Sequence, residues 1–298
     1  MVAQVRRFSR TVTQRVGALD DRFLARDRPL GEARLLWEIG EAGCDVRSLR
    51  ARLDLDAGYL SRLLRSLEAA GLVRVGPAEH DGRVRTARLT AAGLAERAVL
   101  ERGSGELAAS FLEPLSEPQR KRLVTAMRDV ERLLTAPLVQ IESADPAAAR
   151  AQGCLRAYEA ELDRRFPGGF DAARSISADA RELRPPAGLL LVATLHAEPI
   201  GCGALKFHAG EPTEIKRMWV APSARGLGVG RRLLAALEAR AAQSSSRIVR
   251  LETNATLTEA IAMYCSAGYA EVEAFNDEPY AQHWFEKRVR AAPTRPEV

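Results

Sequence analysis

The chain has 298 residues, a size that suits two ordinary domains, each able to bury its own core. At 46% apolar and 28% charged residues it is too hydrophobic for a disordered chain, and no apolar run approaches the ~18 residues of a bilayer span. The net charge of +5 is unevenly spread: residues 1–136 hold 24 Lys+Arg against 19 Asp+Glu, and residues 137–298 hold 20 of each, so the first half is the one suited to a polyanion. Cys44, Cys154, Cys202 and Cys265 are far apart in sequence and form no metal-ligand pair, so no metal is expected. The N-terminus lacks a signal-peptide core, which makes the cytoplasm, with reduced thiols, the expected location and leaves no membrane role.

In chain order, Val5, Phe8, Val12, Val16, Leu19 and Phe23 recur at steps of three and four, predicting an amphipathic helix over the first 25 residues. Further helices are predicted over 31–42, 46–53 and 57–70, followed by short strands at 72–75 and 86–89 around a turn at 79–83. Two more helices, about 91–111 and 117–134, complete this half. The helical pattern breaks at Thr135-Ala-Pro137, so we place a first domain at 1–136 and a second at 139–290.

In the helix over 57–70, Leu60, Leu63, Leu64 and Leu67 share an inward face, and Arg62 lies almost opposite, flanked by Gly58, Arg65 and Ser66. A short helix and a tight turn precede it, and Asp56 can cap it. This is helix-turn-helix spacing, with a hairpin after it that carries Arg83 and Arg85. The run from Val46 to Arg74, with Asp81-Gly82-Arg83 and Leu89-Thr90-x-x-Gly93, resembles a MarR-type winged helix. That resemblance implies a mainly α winged helix-turn-helix fold and a homodimer joined by the first and last helices of this half, reading double-stranded DNA at a pseudo-palindromic operator. It also implies that Ser61, Arg62 and Arg65 contact DNA from the helix and Arg83 from the wing, with Asp81 orienting a neighbouring arginine. A solvated helix face, or a protein-docking winged helix, would look similar in sequence.

The second half begins with a strand at 139–143 and a helix opening at Asp145-Pro146. Strands are then predicted at 188–195, 200–206, 215–220, 248–253, 270–275 and 283–289, and helices at 226–242 and 257–266. Alternating strands and helices after an antiparallel start predict an α/β domain with a mixed central sheet. Between the strand ending at Val220 and the following helix lies Arg225-Gly226-Leu227-Gly228-Val229-Gly230. Glycines let backbone N–H groups approach a ligand, and the helix N-terminus favours an anion, so this loop is a phosphate seat. The pattern resembles the acyl-CoA-binding motif of the GNAT N-acetyltransferases, and the similarity extends over about 139–290.

By that resemblance acetyl-CoA is the co-substrate. Arg225, Gly226, Gly228, Val229 and Gly230 hold its pyrophosphate, while Met218 and Val220 pair through their backbones with the pantetheine arm. Arg231 and Arg232 are further phosphate candidates. Asn254 contacts the pantetheine, and Tyr264, on the next helix, is the general acid for the departing sulfur. Glu214 matches the position of a catalytic glutamate in some members of the family, and Glu252 is a second candidate base. An amine acceptor would sit beside Tyr264, near Phe166 and Phe170 and the loop of Glu278 and Tyr280, where carboxylates interleave with aromatic rings.

Together these readings describe a transcriptional regulator fused to an N-acetyltransferase that works by direct transfer to an amine. The competing reading is an acyl-CoA-sensing transcription factor whose second half is catalytically silent.

Overall fold

The computed structural model describes residues 1–19, 23–78, 84–176, 179–208, 210–243 and 247–289. It divides into two compact units, Met1–Arg128 and Asp129–Val298, with the division inside a helix.

In the first unit, α1 (Val2–Arg15) is shorter than its sequence pattern: Gly17 takes a φ of 69°, and Phe23 belongs to a separate 3-10 turn, Phe23–Ala25. Its apolar stripe is exposed, with Val5, Phe8 and Val12 at 63%, 45% and 40%. Helix α2 (Leu30–Ile39) buries Leu35, Leu36 and Ile39. Helix α3 (Val46–Leu53) is capped by the Asp45 side chain, and Asp54 adopts a left-handed φ of 49° to turn the chain. Helix α4 (Ala57–Ala69) begins at Asp56, whose Oδ1 accepts from the backbone N–H groups of Gly58 and Tyr59 at 2.9 and 3.0 Å. Leu60, Leu63, Leu64 and Leu67 of α4 are buried, as their spacing predicts.

Strands β2 (Val73–Pro77) and β3 (Arg85–Leu89) form the antiparallel hairpin, and β1 (Cys44–Asp45) adds a third strand in the order β1-β3-β2. A two-residue strand has no alternation to read, which is why sequence patterning misses β1. Helix α5 (Ala91–Leu112) starts at Thr90, whose hydroxyl oxygen accepts from Gly93 N–H. A Cβ at Gly93 would lie 2.0 Å from the Leu72 carbonyl oxygen, so only glycine lets the helix cross there. Helix α6 (Glu117–Thr135) follows.

A buried carboxylate ties α5 to the segment before α2. Glu96 accepts from Arg26 Nε and Nη2 at 3.0 and 2.6 Å and from Arg28 Nε at 3.1 Å. The Arg26 hydrogen bonds, with both guanidinium charges, outweigh burial and hold the Glu96 carboxyl below its usual range.

In the second unit, β4 (Gln140–Ser143), α7 (Ala149–Arg165), β5 (Gly188–Leu195), β6 (Glu198–Lys206), β7 (Thr213–Val220), α8 (Val229–Ala241), β8 (Ile248–Thr253), α9 (Thr258–Ser266), β9 (Ala270–Val272) and β10 (His283–Arg288) follow one another. Helix α7 starts three residues beyond Pro146, because the Asp145 side chain first forms a turn with Ala147 N–H. The seven strands lie in the order β4-β5-β6-β7-β8-β10-β9. All pairs are antiparallel except β7 and β8, which run parallel and pair only through Thr213–Val249 and Glu214–Arg250. Beyond that point they part. Opposite the gap, β7 carries a bulge against β6 between Cys202 and Ala204, where Arg217 has a φ of 57°. Leu205, Ile215, Val249, Leu251 and Phe285 pack with Leu233 and Leu237 of α8 into the main core.

Replacing Glu96 with Gln should lower stability by about 1–3 kcal/mol at neutral pH, measured by urea unfolding. Because the folded-state value is depressed, this contribution is present above the unfolded-state pKa of about 4.3 and is lost as pH falls through the lower folded value. The gap between wild type and variant should therefore close on acidification.

Candidate functional site

Two cavities open where β7 and β8 part. The larger, about 540 Å³, runs along the end of β7 to the start of α8 and is lined by Met218, Trp219, Val220, Arg225, Gly226, Gly228 and Gly230. The smaller, about 90 Å³, lies on the other side, between Lys216, Glu252, Phe166, Phe170 and Tyr280. Tyr158, Met218 and Tyr264 line both, so the cavities meet at these side chains.

The glycine loop is built for close approach. Gly226 and Gly228 have φ of 84° and 77°, a region that side chains with a Cβ rarely adopt. Nothing lies within 4 Å of where their Cβ atoms would stand, so backbone conformation, not crowding, demands glycine. Gly230 differs: a Cβ there would meet Met263 Sδ at 3.1 Å, which sets how closely α8 and α9 approach. Val229 is buried at the first turn of α8, and its backbone, with that of Gly230, lies at the helix N-terminus facing the larger cavity.

Arg225 is oriented by protein groups. Its Nε donates to the Val220 carbonyl at 3.2 Å, and Nη2 donates to Glu161 at 2.5 and 2.6 Å. Glu161, on α7, also accepts from Trp219 Nε1 at 2.9 Å. Burial opposes its ionisation, but Arg225, Trp219 and Arg165 outweigh that and hold its carboxyl below the ordinary range. Sequence reasoning passes over Glu161 and Tyr158, because charged and aromatic positions on a helix carry no site signature. Of the two further arginines, Arg231 lines the larger cavity, whereas Arg232 donates to the carbonyls of Ala136 and Val139 at 2.6 and 2.7 Å and is a structural anchor.

Tyr264 is 5% exposed and stands at the junction. Burial, and after it the Glu252 carboxylate, pushes its phenol well above the ordinary value, so it holds its proton at neutral pH. Asn254 follows β8, where its side chain is engaged by protein groups. It lines the smaller cavity, its Nδ2 donates to the Tyr280 carbonyl at 2.7 Å, and its Oδ1 accepts from Thr256 N–H and Oγ1 at 2.9 and 2.7 Å. These bonds hold the loop before β10.

The two candidate bases separate clearly. Glu214 is among the lining of neither cavity. It is bonded by Arg250 and Lys216, and although burial opposes it, these cations keep its carboxyl below the usual range, so it is a weak proton acceptor. Glu252 does line the smaller cavity. Its Oε1 accepts from Lys216 Nζ at 2.5 Å, while among the described residues no group hydrogen-bonds its buried Oε2.

The rings of Phe166, Phe170 and Tyr280 pack with centroids 4.9–5.9 Å apart and wall this cavity. Two loops close it: Glu278 accepts from Ser175 Oγ and Ile176 N–H at 2.9 and 2.7 Å, and Asp171 N–H donates to the Tyr280 hydroxyl at 2.9 Å.

In the first unit, Ser61, Arg62 and Arg65 are all exposed on the face of α4 opposite its leucines. Arg62 lies 5.7 Å over the Tyr59 ring, and Arg65 Nε donates to the Ser61 carbonyl. Arg83 and Asp81 fall outside the described residues; Arg85, at the start of β3, is exposed.

A mixed sheet that parts at its one parallel pair beside a glycine loop and a helix N-terminus is an acyltransferase fold, and a capped helix followed by an antiparallel hairpin is a winged helix. Residues 155–269 match the acetyltransferase (GNAT) family and residues 27–84 match the MarR family. An IAA acetyltransferase from Azospirillum brasilense is 36% identical over 121 residues, which are 40% of this chain and 78% of that protein. The chain belongs to the GNAT acetyltransferase family, and a segment of its N-terminal half is similar to the MarR family. Its C-terminal half is an N-acetyltransferase of that family. Among solved structures, a Klebsiella pneumoniae protein described as an acyl-CoA N-acyltransferase is similar at 29% identity and a TM-score of 0.42, over 51% of this chain and 98% of its own. A probable transcriptional regulator from Pseudomonas aeruginosa is similar at 23% identity and a TM-score of 0.38, over 43% of this chain and 96% of its own. Among the described residues no helix is long and apolar enough to cross a membrane.

Gly228→Glu should weaken acetyl-CoA binding by roughly two orders of magnitude or more, read by calorimetry, since it sets a carboxylate in the phosphate seat. Gly228→Ala, which adds only left-handed strain of about 1–2 kcal/mol, should cost far less affinity.

Proposed function

We propose that this protein is a DNA-binding regulator that also transfers an acetyl group from acetyl-CoA directly to an amine. The observation that carries the catalytic reading is the meeting of the two cavities at Tyr264, with Glu252 on the acceptor side. The CoA phosphates sit on the amides of Gly226, Gly228, Val229 and Gly230 beside Arg225, and the pantetheine lies along the unpaired edge of β7 at Met218 and Val220. The acceptor nitrogen, deprotonated, attacks the thioester carbonyl carbon. A C–N bond forms and the C–S bond breaks. The amine's proton goes to Glu252, directly or through a water, and Tyr264 gives its proton to the departing thiolate. Glu252 takes the base role in preference to Glu214 because it reaches the cavity.

The first unit reads a pseudo-palindromic operator through Ser61, Arg62 and Arg65. The exposed apolar stripe of α1, and Met127, Leu133 and Leu134 of α6, support a homodimer through these helices.

Acetyl-CoA turnover followed by thiol release, with a panel of tyramine, benzylamine, spermidine and lysine, and IAA included because of the Azospirillum relative, tests the transferase reading. Tyr264→Phe should lower kcat by about 10²–10⁴-fold with acetyl-CoA affinity retained. Unchanged turnover would remove its role as acid. Arg62→Ala should weaken operator binding and reduce the salt slope by about 1. A protein that binds duplex DNA at no salt concentration would instead point to a winged helix that docks a protein.

A further inference from the structure

We propose that Lys216 is a positioning residue for acetyl transfer, holding the Glu252 carboxylate by one oxygen so that the other faces the acceptor nitrogen. The inference rests on the reading of Glu252 as the acceptor-side carboxylate.

Its basis is a ladder of four charges across the parallel strand pair. Glu214 is in register with Arg250, and two residues further on each strand come Lys216 and Glu252. Since side chains on a strand repeat their face every second residue, all four share one face of the sheet. The signs alternate along and across the strands. Arg250 grips Glu214 through Nε and Nη2 at 3.1 and 2.8 Å. The Lys216 ammonium lies 3.1 Å from Glu214 Oε2 and 2.5 Å from Glu252 Oε1. The side chains of Lys216, Glu214 and Glu252 are only 5%, 7% and 10% exposed. Burial alone would depress the ammonium, but Glu252 and Glu214 outweigh it and keep Lys216 charged.

The ladder ends at Glu252, a residue of the smaller cavity's lining. Glu252 presents a buried oxygen that no described residue hydrogen-bonds, a costly state for a carboxylate unless a donor arrives. The other polar groups around it are committed or hold their protons. Arg217 is bonded to Glu159 at 2.7 Å, Glu278 is tied to Ser175 and Ile176, and the phenols of Tyr158 and Tyr264 are pushed upward, chiefly by burial. Tyr280 uses its hydroxyl to accept from Asp171 N–H, and His208 lies 3.5 Å from Glu214, at the far end of the ladder. Glu252 thus combines a place in the cavity lining with one buried oxygen that no described residue bonds, so a small turn of the carboxylate would meet a donor brought by a bound molecule. An acceptor bringing an N–H donor completes the ladder.

A double-mutant cycle on the full chain decides the matter. Wild type, Lys216→Met, Glu252→Gln and the double variant are compared for acetyl transfer with the panel amine of highest kcat/KM, together with acetyl-CoA affinity by calorimetry. Lys216→Met should lower kcat/KM for the amine by roughly 30-fold or more, with acetyl-CoA affinity unchanged. In the Glu252→Gln background the same change should cost little, because Lys216 acts through Glu252. Lys216→Arg, which keeps the charge, should restore most of the turnover.

Equal losses from Lys216→Met in both backgrounds, or losses that track a fall in acetyl-CoA affinity, would overturn the proposal and leave Lys216 as a structural cation. If Lys216→Met does not fold, Lys216→Gln takes its place in the cycle, and failure of Lys216→Arg to restore turnover then overturns it. Full activity of Glu252→Gln, or a wild type that acetylates no panel amine, would overturn the reading beneath it and this proposal with it.

Discussion

The second unit depends on a parallel strand pair that stays together for only two residues. After Glu214 and Arg250, β7 has no strand partner on that side among the described residues, although β6 continues to pair with its other edge. An unpaired strand edge deep in a domain leaves backbone N–H and C=O groups that must find partners, and an extended ligand can supply them. The parting also makes room. Met218 stands at the break and lines both cavities, so the free edge of β7 leads from the larger cavity to the smaller. The bulge at Arg217 adds local bending and twist at the same level of the strand.

What was legible in the sequence was whatever has a short-range cause. The leucine face of α4, the Asp56 cap, the hairpin and the glycine loop each arise from residues within one turn or one loop, and each could be read from spacing. The strand starts at Gly188 and Ile248 are marked by apolar runs that the sheet buries. The extent of α1 was not legible, because the apolar steps run on through Leu19 and Phe23 while Gly17 breaks the helix. A stripe whose purpose is contact with another surface also looks the same in sequence as one that packs inward.

Side-chain partnerships across the fold were the least legible part of the site. Asn254 lies where the motif puts it, yet its amide holds the Tyr280 loop 26 residues away. Arg232 follows Arg231 in the first turn of α8, but a rotation of 100° per residue sends one to the cavity and the other to the carbonyls of Ala136 and Val139. Glu214 and Glu252 are both candidate bases in the sequence, and the motif favours Glu214. Only the two-residue offset along the parallel pair puts Glu252 in the lining of the smaller cavity and leaves Glu214 outside it.

Arg225 shows how a polyanion and a carboxylate can share one site. Glu161 stands in the lining of the larger cavity, where it would repel phosphate, and it is held ionised. Yet a guanidinium carries five N–H donors in a rigid fork, and the bonds to Val220 and Glu161 engage only Nε and Nη2. The carboxylate therefore fixes the plane of the guanidinium without exhausting it. Counting the charged side chains of that lining, Arg165, Arg225 and Arg231 stand against Glu161 and Glu259, so 3 − 2 leaves one positive charge. That modest excess, added to the helix N-terminus and the loop amides, favours an anion through oriented donors more than through net charge. In a site built this way the positive φ of Gly226 and Gly228 sets where the loop amides point, while Glu161 sets the plane of the Arg225 guanidinium, so both kinds of donor are oriented before any anion arrives.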